Sequence, residues 1–233
     1  MESYPVYPVR RFSLGKIIGL FFALATLVVV GLIASSTLYA TKTIFGLLTE
    51  NRKLKQAITN LTQESQIGFA KVISQETRDG KLHTRLLFVE TDRDDPTRRV
   101  LEKEYTVEGD IVHFDALIVK FGDQVVMDGK ERALYLWRRV YGDRQPPEQG
   151  FPIEEIGREP GRYADILARL PVHDRSLFWS EIWELSNDPE RLKQAGVKAI
   201  FGNAVYKKLR PGLIYVFKIN NSGGVYPETV PAL

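Results

Sequence analysis

Between Lys16 and Lys42 the chain runs for 25 residues, Ile17 to Thr41, without one charged side chain. Its most apolar part, IIGLFFALATLVVVGLIA, extends from Ile17 to Ala34. A helix rising about 1.5 Å per residue needs roughly 20 such residues to cross a hydrocarbon core of about 30 Å. The stretch is apolar on every face, which argues against a buried core helix of a soluble protein. A cleavable signal peptide is the rival reading, and Ala34-Ser35-Ser36 resembles a cleavage triplet. Its apolar core would however run only about 7–15 residues. The sequence therefore predicts a single membrane helix over 17–41, with the lipid bilayer as its first partner.

Charge gives that helix a direction. Arg10, Arg11 and Lys16 precede the span, whereas Lys42 and then mixed charge follow it. The positive-inside rule puts residues 1–16 in the cytoplasm as a short stub and the bulk outside the inner or plasma membrane. Tyr4 and Tyr7 on one side and Tyr39 on the other are expected at the two interfaces. At the start of the span Gly15, Gly19 and Ala23 form a small-xxx-small row, the spacing that lets two membrane helices approach closely. Lipid-facing small residues are the plainer explanation of the same row.

After Lys42 the apolar period changes to a heptad. Ile44, Asn51 and Ile58 take a positions, and Leu47, Leu54 and Leu61 take d positions. Glu50 at g and Lys55 at the following e have opposite signs, as a parallel pair requires. A lone Asn at an a position specifies a two-stranded parallel register. Residues 42–65 are thus expected to form a short coiled-coil stalk that joins two copies. The alternative is an amphipathic helix packed on its own domain.

From Ile67 the pattern becomes strand-like. IGFAKVISQE and KLHTRLLFVET flank Asp79-Gly80, a hairpin signal. RVLEKEYTVEG, DIVHFDALIVKF, QVVMDG and RALYLWRRVYG follow, separated by Gly-Asp and Asp-Gly turns. Six strands with short turns predict a small antiparallel β-barrel or sandwich over 66–142. Pro146, Pro147, Gly150 and Pro152 mark a boundary. Residues 153–233 read as a helical or α+β region, with helices at Arg162–Leu170, Asp174–Ser186 and Pro189–Ala195 and a strand at Gly212–Ile219. This region is either a separate small domain or a helical lid whose last strand returns to the sheet. The fold class is α+β.

Composition narrows function. Beyond residue 41 the chain carries 29 basic and 28 acidic side chains, so it lacks the basic footprint of nucleic-acid binders. With no cysteine there is no disulfide, thiolate nucleophile or Cys-based zinc site. Glycine motifs for nucleotides and nucleophile elbows are missing, and no cofactor or metal site is expected. Among the three histidines, His113 sits two residues from Asp115 on a predicted strand. That pair has the makings of a base and its orienter, although alternation alone explains it as a solvated strand face. Glu181 and Glu184 lie at i, i+3 on a predicted helix, without the histidines of a metal motif. Trp179 and Trp183, at i, i+4, are either a partner- or glycan-binding platform or a buried stripe.

The order of stub, membrane helix, ENRKLKQAITNL coiled coil and β-rich stretch beginning IGFAKVIS resembles that of the bacterial cell-shape scaffold proteins of the MreC family. The likeness is one of architecture, without a family motif, and the helical region Arg162–Ala195 departs from it. It implies a dimeric, non-enzymatic scaffold or assembly protein that contacts other envelope proteins. The class rivals are a membrane-anchored envelope enzyme and a ligand- or glycan-binding domain on a membrane tether.

Overall fold

The computed structural model describes residues 14–155, 157–163, 175–194 and 196–232. Helix α1, Leu14–Thr62, is unbroken through 49 residues. Its N-terminal part is long and apolar enough to cross a membrane. Four hydroxyls inside the uncharged stretch bond their own helix. Thr26, Thr37 and Thr41 donate to the carbonyls of Phe22, Ile33 and Thr37, and Ser35 donates to that of Leu32. Such back-bonding satisfies the polar groups that hydrocarbon would leave stranded. The chain up to Leu54 forms one compact unit and residues 55–233 another.

The second unit holds two antiparallel sheets. Strands β1 (Glu64–Arg78), β2 (Lys81–Thr91) and β3 (Arg99–Glu108) are joined by β8 (Leu213–Asn220) and β9 (Val225–Pro231) in the order β3-β2-β1-β8-β9. Strands β4 (Ile111–Phe121), β5 (Leu134–Gly142), β6 (Phe151–Pro152) and β7 (Val197–Lys208) form the order β6-β5-β4-β7. Both sheets are open, so the barrel alternative fails and the unit is a sandwich. The β1–β2 hairpin turns at Asp79 and Gly80, with φ of 51° and 75°, the positive pair that a tight two-residue hairpin turn requires.

The sheets meet through aromatic rings. Phe88 of β2 meets Trp137 of β5 edge-on at 5.2 Å, and Phe114 of β4 lies 4.7 Å from Phe217 of β8. All four side chains are essentially buried. Rings this large supply much of the apolar area that a core must withdraw from water. Where β3 passes under β5 the backbones nearly touch, since a Cβ on Gly142 would lie 1.8 Å from the carbonyl oxygen of Glu108.

Residues after 196 complete both sheets: β7 pairs with β4 along its length, and β8 pairs with β1. The QVVMDG run is not a strand. It forms the short helix α2, Asp123–Met127, whose first turn closes on the Gly122 carbonyl and buries only Val126. Helices α3 (Arg175–Ser180), α4 (Ile182–Leu185) and α5 (Pro189–Gln194) precede β7. Asp188 caps α5 by accepting a bond from the Arg191 N–H at 3.1 Å, with Pro189 following it. Of the predicted helix Arg162–Leu170, residues 164–170 lie outside the described residues, as does Asp174, the expected cap of the next helix.

The last turn of α1 belongs to the sandwich. Asn60 donates to the Met127 carbonyl at 2.8 Å and accepts, through its own carbonyl, a bond from Asn221 at 2.8 Å. Leu61 packs against the core beside them.

Candidate functional site

Four polar residues are buried in the described core: Thr84, Glu90, Thr91 and Asp115. Sequence reasoning singled out Asp115 alone of these and passed over Glu90. It ends the apolar run of β2 at the same alternate positions as Leu86 and Phe88, so the strand delivers its carboxyl inward. Only 1% of it reaches solvent.

Two further residues close on that carboxyl. Beyond β6 the chain keeps bonding along β5, with the Ile153 N–H donating to Arg138 and that of Glu154 to Trp137. This extension fixes Glu154. Arg162 sits in the 3-10 turn Gly161–Tyr163. Its Nη1 lies 2.5 Å from Glu154 Oε1 and 3.2 Å from Glu90 Oε1, and its Nη2 donates to the Tyr135 carbonyl at 3.0 Å. The guanidinium lies over the rings of Tyr135 and Tyr163, at 4.8 and 4.7 Å from their centroids. The Tyr135 hydroxyl stands beside Glu90 without well-formed hydrogen-bond geometry.

Burial pushes the Glu90 carboxyl up to about 8, and Glu154 adds to the rise against the pull of Arg162. At neutral pH Glu90 is therefore mostly protonated, a neutral acid in a protein interior. The contact to Arg162 does not satisfy it: neither Glu90 oxygen has a hydrogen-bond partner among the described residues, and Glu154 Oε2 has none either. Both side chains line a cleft of about 270 Å³. Two larger hollows of about 570 Å³ flank β7, and neither is lined by a carboxyl group.

The residues singled out from sequence are dispersed. His113 stacks on Tyr141 at 4.8 Å and nears Tyr206 at 5.3 Å. Asp115, expected on a solvated face, is buried and ion-paired with Arg139 at 3.0 Å and Arg138 at 3.3 Å. The two side chains point to different partners and no hydrogen bond joins them. Glu181 pairs with Arg191 at 2.5 Å. Trp179 is 1% exposed and stacks on Tyr163 at 5.9 Å, which makes it core and not a platform. The side chains of Trp183 and Glu184 lie outside the described residues. Gly15, Gly19 and Ala23 are exposed along α1. Of the heptad row, Ile44, Leu47, Leu54 and Ile58 are each more than half exposed, Asn51 is also exposed, and Leu61 alone is covered by its own core.

These elements define an α+β protein that combines one long apolar helix, an open β-sandwich and a buried carboxyl–arginine cluster. No family model matches the chain, no curated protein matches its sequence, and no solved structure matches its fold. The resemblance to cell-shape scaffolds accordingly stays a likeness of architecture.

Proposed function

We propose that this protein is a single-pass, membrane-anchored scaffold or assembly protein of the cell envelope, with its bulk extracytoplasmic, acting as a dimer through protein–protein contacts. The observation that carries the reading is the uncovered apolar row on α1. Ile44, Leu47, Leu54 and Ile58 expose between 53% and 62% of their surface, although nothing in their chemistry favours water. A heptad row of this kind is stabilised when a second helix covers it, and Asn51 at an a position fixes a parallel partner. Two copies inserted in one bilayer have that orientation already. Paired tethers then raise the local concentration of two sandwich domains, so individually weak contacts with other envelope proteins act together.

The native chain has no cysteine, which makes the test clean. Single cysteines placed in the full chain in vesicles at Leu47, Asn51 or Leu54 should give disulfide-linked dimers on oxidation. Cysteines at Thr49 or Gln56, on the opposite face of the heptad, should not. Uniform cross-linking, or none, would sink the dimer reading. The Glu90 cleft favours a second reading, a ligand-binding domain on a membrane tether, because buried carboxyl oxygens without a hydrogen-bond partner among the described residues are what a binding site for a polar ligand leaves open.

A further inference from the structure

We propose that the Glu90 cleft binds an organic cation, a primary ammonium or guanidinium group carried on an apolar stem. The unfilled acceptors of the cleft outnumber its unfilled donors, which are the Arg162 Nε–H and the proton that Glu90 carries in its neutral form. Both Glu90 oxygens, Glu154 Oε2 and Glu159 Oε1 are buried without a hydrogen-bond partner among the described residues. Buried oxygens of this kind are costly unless a donor arrives. The cations around them are already engaged. Arg162 is divided among Glu154, Glu90 and the Tyr135 carbonyl, Lys103 donates to the Ile153 carbonyl at 2.7 Å, and Arg158 pairs with Glu155 at 2.9 Å.

An anion would meet those unfilled lone pairs and is disfavoured. A divalent metal is disfavoured by geometry, since no three carboxyl or imidazole groups among the described residues converge as a ligand set. An ammonium or guanidinium group supplies several donors from one centre, which matches the acceptor surplus. Val100, Leu101 and Pro160 give the cleft an apolar wall for the stem. At about 270 Å³ the space suits one basic side chain or a small amine and is too small for a large metabolite. A cation beside Glu90 favours its ionised form, so binding near neutral pH releases a proton.

Full-length protein in detergent micelles is titrated at pH 7 with n-butylammonium, n-butanol and a blocked peptide containing one lysine, by calorimetry in two buffers of different ionisation enthalpy. The expected result is millimolar or tighter binding of the two amines, no binding of butanol, and proton release on complex formation. Tighter binding of the peptide assigns the site to a partner's basic side chain, and tighter binding of butylammonium assigns it to a free amine. Glu90→Gln, which mimics the protonated acid, should weaken amine binding at least tenfold and abolish proton release, and Glu154→Gln should weaken it as well. Butanol binding as tightly as butylammonium, no heat with either amine, or wild-type affinity in both glutamine variants would overturn the proposal.

Discussion

The Tyr163 hydroxyl bonds both backbone groups of Tyr135, donating to its carbonyl at 2.8 Å and accepting from its N–H at 3.0 Å. A side chain here takes the place of a neighbouring strand at the start of β5. Replacing it with phenylalanine has an asymmetric effect. The carbonyl keeps Arg162 Nη2 as a donor, but the buried N–H is orphaned. Tyr163→Phe should destabilise the protein by about 1–3 kcal/mol. Urea unfolding followed by tryptophan fluorescence measures it.

The pH dependence of stability follows from Glu90 on one side and surface acids on the other. The folded value of Glu90 is raised to about 8 from an ordinary 4.5. The native state thus holds a proton that the unfolded chain has lost across that window. Its contribution is fully present below about 4.5 and disappears as pH rises toward 8, a few kcal/mol at most. The hydrogen bonds from Arg132, Thr97 and Lys198 hold Asp94, Asp95 and Asp123 below the usual carboxylate range. Their contribution is present above that range and is lost on acidification. Urea midpoints should therefore fall from about pH 5 toward pH 8, and Glu90→Gln should flatten that limb while leaving the acid limb unchanged.

Gly142→Ala should be among the most damaging single-methyl additions. The new Cβ would meet the Glu108 carbonyl oxygen at 1.8 Å and its carbon at 2.7 Å, both backbone atoms that no rotamer change can move. A cost of about 3 kcal/mol or more is expected, a loss of roughly 6–12 °C in Tm by scanning calorimetry.

Asp115 and His113, neighbours in sequence, should behave oppositely. Asp115→Asn removes the carboxylate charge shared by Arg138 and Arg139 at a mostly buried position and should cost about 2–4 kcal/mol. His113→Ala loses a ring contact with Tyr141 worth about 1 kcal/mol. An enzyme built on His113 would instead lose its function with its stability intact.

Along α1 the heptad row should divide at its last member. Leu54→Glu and Ile58→Glu alter exposed positions, so dimer cross-linking should vanish with Tm almost unchanged. Leu61→Glu drives a charge into the core of its own domain and should lower Tm markedly.

Much of the sandwich was legible because its strands obey period two and its turns carry glycine. KLHTRLLFVET and DIVHFDALIVKF became β2 and β4 almost to the residue. QVVMDG misled because a six-residue run with two β-branched residues, Val125 and Val126, cannot show whether a partner strand lies within reach. Strand β7 was passed over since Gly202, Asn203 and three lysines dilute its alternation, and long-range pairing to β4 supplies the rest. The cleft was half visible. Glu90 shares the inward positions of Leu86 and Phe88, a local signal that an acid is headed into a core. Its partners Glu154 and Arg162 come from loop segments where no periodicity operates, and only the closed fold brings them to it.

The pairing of β1 with β8 also sets the order of assembly. Phe69 lies opposite Val216, so the middle of the larger sheet joins the beginning of the sandwich to its end. During biosynthesis a nascent chain that has reached only β5 carries β1 as a bare edge, able to template other strands. Closing so long a loop is slow, as it is for other β-rich domains dominated by distant contacts. Until residues 213–220 emerge, the half-made sheet needs shielding, and a truncation before Leu213 should leave an aggregating product rather than a smaller folded one.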